Sequence, residues 1–152
     1  MMQLNYMKAK SKKAIYAGSF DPFHKGHLEL LKKSLKLFDY VYLVVSINPD
    51  KNNALNLDRR YKNVCDIVEK EKLLNVEVLL NTNDLIANVA KKYGVNFLIR
   101  SSRNENDFQY EMELAAGNKH VNNDLETVIL IPDYEYIEYS STLERHKEKL
   151  GK

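Results

Sequence analysis

Short apolar runs alternate with helical patterns along nearly the whole chain. The apolar runs cover 14–17, 40–47, 76–80, 96–99 and 127–131, and the helical patterns cover 25–38, 57–70, 84–93 and 107–120. Strands that alternate with helices of this length are typical of βαβ units, in which neighbouring strands are parallel. The sequence therefore predicts an α/β fold, with one Rossmann-like domain, a five-stranded parallel sheet and helices on both faces.

The ends of the chain and of one helix carry local signals. Residues 1–12 are polar and Lys-bearing without a clear period, which predicts a flexible leader before a domain that spans 13–152. Gly94 follows two lysines and a tyrosine, an arrangement that predicts the end of the third helix. Thr82 or Asn83 is predicted to cap the start of that helix. A charged segment at 141–150 predicts a last helical fragment.

The composition excludes several classes of protein. With 152 residues, 44% hydrophobic and 29% charged, the chain is long enough to bury a core and is typical of a soluble globular protein. It contains no run as long as a membrane span and no signal-peptide core, so we expect a cytoplasmic protein. A net charge of +2 favours neither nucleic acid nor a membrane as a partner. Cys65 is the single cysteine, which excludes an intramolecular disulfide.

The junction between the first strand and the first helix reads Gly-Ser-Phe-Asp-Pro-Phe-His-Lys-Gly-His, from Gly18 to His27. Free backbone N–H groups and the helix dipole favour phosphate at such a helix start. His24 and His27 can hydrogen-bond to phosphoryl oxygens or neutralise them, and Gly18 permits a close backbone approach. Because ligands of parallel sheets bind beyond the carboxyl ends of the strands, this junction predicts a nucleotide site.

Three further polar motifs follow later strands. The loop Asn-Pro-Asp-Lys after the second strand ends at Lys51, which can act as a mobile point charge. The fourth strand leads into Arg100-Ser101-Ser102-Arg103 and then Asp-Phe-Gln-Tyr-Glu, ending at Glu111. Two of only five arginines therefore stand together, where forked donors suit phosphate. The hydroxyl-rich segment 139–142 opens the last predicted helix, and such hydroxyls can cap the helix, bind phosphate or do both.

Taken in order, these motifs resemble the phosphopantetheine adenylyltransferase family of the nucleotidyltransferase superfamily, whose hallmark is a His-x-x-His or Thr-x-x-His motif in the first strand–helix turn. The resemblance covers 13–143 and implies transfer of AMP from ATP to 4′-phosphopantetheine, with pyrophosphate and dephospho-coenzyme A as products. It implies direct in-line attack without a covalent enzyme intermediate, and Mg²⁺ delivered with ATP. It also implies a homo-oligomer, which in the family is a hexamer, although this chain stops at Lys152, where the family usually continues through another helix.

The resemblance also assigns roles to individual residues. His27, Lys51 and Arg103 are expected to stabilise the transferred phosphoryl group. The acceptor is expected to contact Ser19, Lys51, Ile86, Asn88 and Arg100, with the middle pair inside an Asp-Leu-x-x-Asn segment that begins at Asp84. The residues expected to bind ATP are Gly18, Ser19, Phe20, His24, His27, Ser101, Ser102, Arg103, Glu111, Tyr139, Ser140, Ser141 and Thr142. Two positions depart from the family pattern: Ser101 replaces a glycine, and Ser102 replaces an apolar residue.

Other functions share part of this pattern. Nicotinate mononucleotide adenylyltransferases have the same first motif and the Ser-Ser-Thr segment, so those two motifs do not separate the acceptors. The Lys51 loop and the 107–111 segment favour phosphopantetheine. Glycerol phosphate cytidylyltransferases resemble the chain mainly in the first motif. A non-catalytic nucleotide-binding protein is a further alternative, with the two serines after Arg100 as a sign of a decayed site.

Overall fold

Five parallel strands form one sheet in the protein, whose computed structural model describes residues 11–47, 56–137 and 147–151. The strands are β1 (Lys13–Gly18), β2 (Tyr40–Ser46), β3 (Val76–Asn81), β4 (Phe97–Ser101) and β5 (Glu126–Leu130). They lie in the order β3-β2-β1-β4-β5. Every strand pairing in this sheet is parallel, as the alternation of apolar runs and helical patterns predicts.

Helices cover both faces of the sheet. They are α1 (Lys25–Leu37), α2 (Leu57–Lys70), α3 (Ile86–Tyr93) and α4 (Glu105–Val121), followed by a short 3₁₀ helix at Tyr134–Tyr136. Apolar residues of α1 and α2 pack in one core cluster with β1 and β2, and α3 packs in a second cluster with β1, β2 and β4. The predicted five-stranded α/β fold is therefore confirmed.

The central strand shows why its sequence is continuously apolar. Ala14 and Tyr16 of β1 belong to the cluster with α1 and α2, whereas Ile15 and Ala17 belong to the cluster with α3. All four residues are at most 6% exposed. A strand that is buried on both faces needs apolar residues at every position, and so the 14–17 run does not alternate.

The connection from β3 to β4 creates the crevice where a ligand is expected. The chain passes outward from β1 to β2 and β3, then returns to place β4 on the opposite side of β1. Gly18 pairs with Val45 of β2, and Tyr16 pairs with Ile99 of β4. In sheets of this kind ligands bind beyond the carboxyl ends of the strands, at the point where the strand order reverses.

The predicted bounds of the five strands and the first four helices agree with the structure to within two residues at each end. The start of the helical fragment predicted at 141–150 lies outside the described residues. Gly94 ends α3 in the left-handed conformation, with φ of 65°, as predicted. The predicted cap of α3 is wrong, because the helix begins after Leu85 without a side-chain cap. Asn81 instead organises this turn: its side chain donates to the carbonyl of Asp84 at 2.8 Å and accepts from the amide of Asp84 at 3.2 Å.

The predicted leader meets the fold at Lys12. Its amide donates to the Asp39 carboxylate at 2.8 Å, and its carbonyl accepts from the Asp39 amide at 2.8 Å. Residues 1–10 lie outside the described part of the chain, so a flexible leader stays a prediction. Within the described ranges, no helix has the length and apolar character that crossing a membrane requires.

Candidate active site

A cavity of about 350 Å³ opens at the carboxyl ends of β1, β2 and β4. It lies at the crevice that the strand order predicts. Eight of the predicted site residues line it: Gly18, Ser19, Phe20, His27, Ile86, Arg100, Ser101 and Glu111. The structure thus brings together residues that are up to 93 positions apart in the sequence.

The turn after β1 is held by a cluster of rings. Phe20 is 2% exposed, has a φ of 47°, and contacts the rings of Tyr16, Phe23 and His27 edge to face. A Cβ at Gly18 would lie 2.9 Å from Phe20 Cε1, too close for the packed ring. Glycine at position 18 therefore makes room for the Phe20 ring, in addition to any contact with a ligand.

The two histidines cap the start of α1. His24 Nδ1 accepts from the amide of Gly26 at 3.0 Å, and His27 Nδ1 accepts from the amide of His24 at 3.1 Å. Their rings stack with centroids 3.8 Å apart. A nitrogen that accepts from an amide carries no proton, so in the neutral imidazoles the proton is on Nε2. The sequence predicted the start of α1 but not this reciprocal cap.

The cavity holds His27 in its neutral form. Burial among Phe20, Phe23 and His24, together with the repulsion between the two imidazoles, lowers the pKa of His27 to about 3. Of the two roles predicted for this side chain, the structure favours hydrogen bonding over charge neutralisation. His27 is therefore suited to donate a hydrogen bond from Nε2–H to a phosphoryl oxygen. His24 lies instead along a neighbouring groove beside Lys25 and Asn63.

Arg100 and Glu111 form an ion pair in the cavity wall. Arg100 Nε and Nη2 donate to the two carboxylate oxygens at 2.7 and 2.9 Å, and Nη1 contacts the carbonyl of Ala17 at 3.4 Å. Glu111 is 5% exposed and is the one buried residue of α4. Although burial lowers the pKa of Arg100, the hydrogen bonds and charge of Glu111 raise it. The guanidinium is a permanent cation in the wall, held rigidly by two parallel bonds.

The second arginine of this motif lies outside the wall. Arg103 Nε and the Arg103 amide both donate to Asp107 Oδ2, at 3.0 and 3.1 Å, on the first turn of α4. Burial opposes ionisation of Asp107, but the two hydrogen bonds and the charge of Arg103 together hold the pKa of Asp107 below its ordinary value. Ser102 is 4% exposed, and its hydroxyl donates to the Asn104 carbonyl at 3.0 Å. Of the two serines that depart from the family pattern, Ser101 is the one that lines the cavity.

A second cavity of about 380 Å³ adjoins the first. Ala17, Ser46, Ile86 and Arg100 belong to both, and the second extends along 81–86. Asn88 contacts the Asp84 carboxylate at 3.3 Å and lies outside both linings among the described residues. The two cavities together form an elongated site with a cationic residue at their junction.

Several wall residues were not predicted from the sequence, among them Tyr16, Ser46, Tyr110 and Leu114. Burial raises the pKa of Tyr16 well above its ordinary range, so its hydroxyl stays protonated. These residues carry no motif of their own and become neighbours through the sheet order. The buried Arg60 of α2 was also missed. Its spacing from Leu57 and Val64, three and four residues, places it on the buried stripe of the helix, a signal that could have identified it.

Two predicted parts of the site lie outside the described residues: Lys51, and the segment Tyr139, Ser140, Ser141 and Thr142. Within the described ranges, no group of three or more His, Cys, Asp or Glu side chains is arranged to hold a metal ion.

Comparison with known proteins connects this site to a family. The cytidylyltransferase-like family model matches residues 15–147, which include every wall residue of the two cavities. The chain belongs to the cytidylyltransferase-like family. Among curated relatives, the phosphopantetheine adenylyltransferase of Mycoplasma capricolum is 42% identical over 89% of this chain and 95% of that protein. The phosphopantetheine adenylyltransferase of Cytophaga hutchinsonii is 40% identical over 90% of this chain and 91% of that protein.

Solved structures show the same fold at lower identity. A Vibrio parahaemolyticus structure, described as a nicotinate-nucleotide adenylyltransferase, superposes with a TM-score of 0.64 at 21% identity, covering 93% of this chain and 83% of that one. A lipopolysaccharide core biosynthesis protein from Thermoplasma volcanium superposes with a TM-score of 0.52 at 18% identity, covering 80% of this chain and 96% of that one. These similarities support the sheet topology of this cytidylyltransferase-like protein.

Proposed function

We propose that the protein transfers the adenylyl group of ATP to 4′-phosphopantetheine. A phosphate oxygen of the acceptor forms a bond to the α-phosphorus of ATP, while the bond from that phosphorus to the oxygen that bridges the α- and β-phosphates breaks. Pyrophosphate leaves with the electron pair, and dephospho-coenzyme A remains. Relatives named phosphopantetheine adenylyltransferase, 35–42% identical over most of the chain, support this reaction.

The shape of the site supports 4′-phosphopantetheine as the acceptor. Arg100 lies where the two cavities join, and the second cavity continues past Ile86 and Leu85. An acceptor with a phosphate at one end and a long, mostly uncharged arm matches this arrangement: the phosphate pairs with Arg100 and the arm follows the second cavity. We assign Ser19 to the same phosphate, because it lines the first cavity close to the start of α1.

The chemistry needs no protein nucleophile, because the attacking phosphate is already anionic. Catalysis then consists of positioning and of stabilising charge on the phosphoryl oxygens. His27 donates one neutral hydrogen bond, and Arg100 supplies a fixed charge. Lys51 and Arg103 are proposed as further cations. Arg103 pairs with the Asp107 carboxylate, so a phosphate that binds Arg103 competes with this carboxylate.

The remaining assignments follow the family resemblance. We propose that Glu111, Ser101 and the hydroxyls of 139–142 contribute to the nucleotide site. We propose that magnesium enters the site with ATP, as the MgATP complex. A homo-oligomer is expected, and sedimentation of the purified chain tests that expectation.

Pyrophosphate release tests the proposed function. The protein is supplied with MgATP and either 4′-phosphopantetheine or nicotinate mononucleotide, with CTP replacing ATP as the nucleotide control. We expect release with ATP and phosphopantetheine. Release with nicotinate mononucleotide instead would keep the mechanism and overturn the acceptor. ATP binding without release for either acceptor would favour a nucleotide-binding protein without this activity.

A further inference from the structure

Arg60 is an arginine inside the protein behind the cavity wall. It is 3% exposed and projects from α2, between the buried residues Leu57 and Val64. Its Nη1 donates to the carbonyl of Ser19 in the β1–α1 turn, and also to the carbonyl of Ser46 at the end of β2, at 3.1 Å. One guanidinium nitrogen therefore connects two segments that are 27 residues apart.

Helix packing alone does not require a cation here. Burial strips water from the guanidinium and lowers its pKa, while the Asp21 carboxylate acts in the opposite direction. An aliphatic side chain, like those at 57 and 64, would bury without losing hydration. The presence of a charged side chain at this position thus points to a function for its hydrogen bonds.

The two carbonyls belong to residues of the site. Ser19 and Ser46 both line the first cavity, whereas Arg60, which binds their carbonyls, is not among its lining residues. In a trans peptide the N–H points opposite to the carbonyl. Holding the Ser19 carbonyl towards Arg60 therefore turns the amide of Phe20 away from Arg60, and so fixes the peptide plane of a residue that lines the cavity.

We propose that Arg60 is a positioning residue for adenylyl transfer, one that fixes the β1–α1 turn against the end of β2 and so aligns the groups that bind phosphate. This inference rests on the proposed function. Arg60 touches neither substrate, and its effect passes through the backbone of Ser19 and Ser46.

The adjacent arginine provides a matched control. Arg59 is exposed on the same turn of α2, so Arg59→Met changes the same charge without touching either carbonyl. We expect Arg60→Met to lower kcat about 100-fold, the effect of misplacing reacting groups by about 1 Å, with less than a threefold change in the KM for ATP. Arg59→Met should match the wild type in both constants.

A lysine variant keeps the experiment decisive if the methionine variant fails to fold. The Lys ammonium ends about one bond short of the guanidinium nitrogen, so Arg60→Lys should fold and show a kcat between those of Arg60→Met and the wild type. Wild-type kcat in either folded Arg60 variant would overturn the proposal. So would an effect confined to KM, or a kcat loss in Arg60→Lys that only follows the unfolded fraction.

Hydrogen exchange separates this proposal from the proposed function. If the wild type releases no pyrophosphate with phosphopantetheine, the proposed reaction fails independently of Arg60. Amide exchange at residues 18–21 then tests the positioning itself. Faster exchange there in folded Arg60→Lys than in Arg59→Met is expected, and equal exchange would contradict a positioning role.

Discussion

The cavity wall holds one histidine and one arginine–carboxylate pair, and a second set of the same residue types lies outside the wall. The inner set is His27, Arg100 and Glu111, and the outer set is His24, Arg103 and Asp107. The carboxylate of the inner pair is 6% exposed, against 30% for that of the outer pair. Water screens the outer charges, whereas the inner groups interact in a less polar environment. Residues of the same type within a motif are therefore expected to contribute different free energies to catalysis and stability.

The largest expected difference lies between the two histidines. His27→Ala should lower kcat about 1000-fold with a smaller effect on ATP binding, because it removes a donor that acts on developing charge. His24→Ala should lower kcat less than tenfold and cost about 1 kcal/mol of stability through the lost helix cap. Steady-state kinetics and isothermal titration with ATP provide the measurement. Equal turnover in His27→Ala and the wild type would remove His27 from the mechanism.

The ion pairs give the next contrast. Glu111→Gln leaves the Arg100 charge in the wall without its carboxylate, and we expect a loss of about 3 kcal/mol in the free energy of unfolding. Asp107→Asn, in the less buried pair, should cost less than about 1 kcal/mol. Urea denaturation of both variants measures the difference. Similar losses would show that burial does not separate the two pairs.

Two glycines extend the comparison to the backbone. Gly18→Ala places a Cβ against the buried Phe20 ring and should cost about 2 kcal/mol through overpacking. Gly117→Ala, on α4, meets nothing within 4 Å and should raise stability by up to about 1 kcal/mol through helix propensity. Thermal unfolding of both variants tests this pair. A Gly18→Ala variant as stable as the wild type would show that the Phe20 ring can shift.

The smallest effect is expected in the pH dependence. The folded protein binds a proton on His27 only near pH 3, whereas the unfolded chain binds it near pH 6.5. The unfolded state thus holds more protons between these values, and stability falls as the pH falls through this range. Between pH 6.5 and 5.5 the wild type should lose about 1 kcal/mol more than His27→Gln. Parallel pH profiles for the two proteins would contradict a neutral, buried His27.

The spacing of apolar residues predicted the fold well, because the burial of a position in the fold determines whether its residue is apolar. The 14–17 run is apolar since two layers of helices cover it, and the stripe of α2 follows its contact with the sheet. The sheet order could not be read in this way, because it depends on contacts between residues that are distant in sequence. Arg103 shows the same limit within the site: its motif places it close to Arg100 in the sequence, but it pairs with Asp107 on the first turn of α4 and lies outside the cavity lining.

The fate of the α-phosphorus tests the central proposal most directly. The protein is incubated with magnesium, ATP radiolabelled at the α-phosphorus and 4′-phosphopantetheine, and the products are separated. Adenylyl transfer predicts that the label appears in dephospho-coenzyme A, with unlabelled pyrophosphate and no label on the protein. Label retained in ATP, or bound covalently to the protein, would contradict direct in-line transfer to this acceptor.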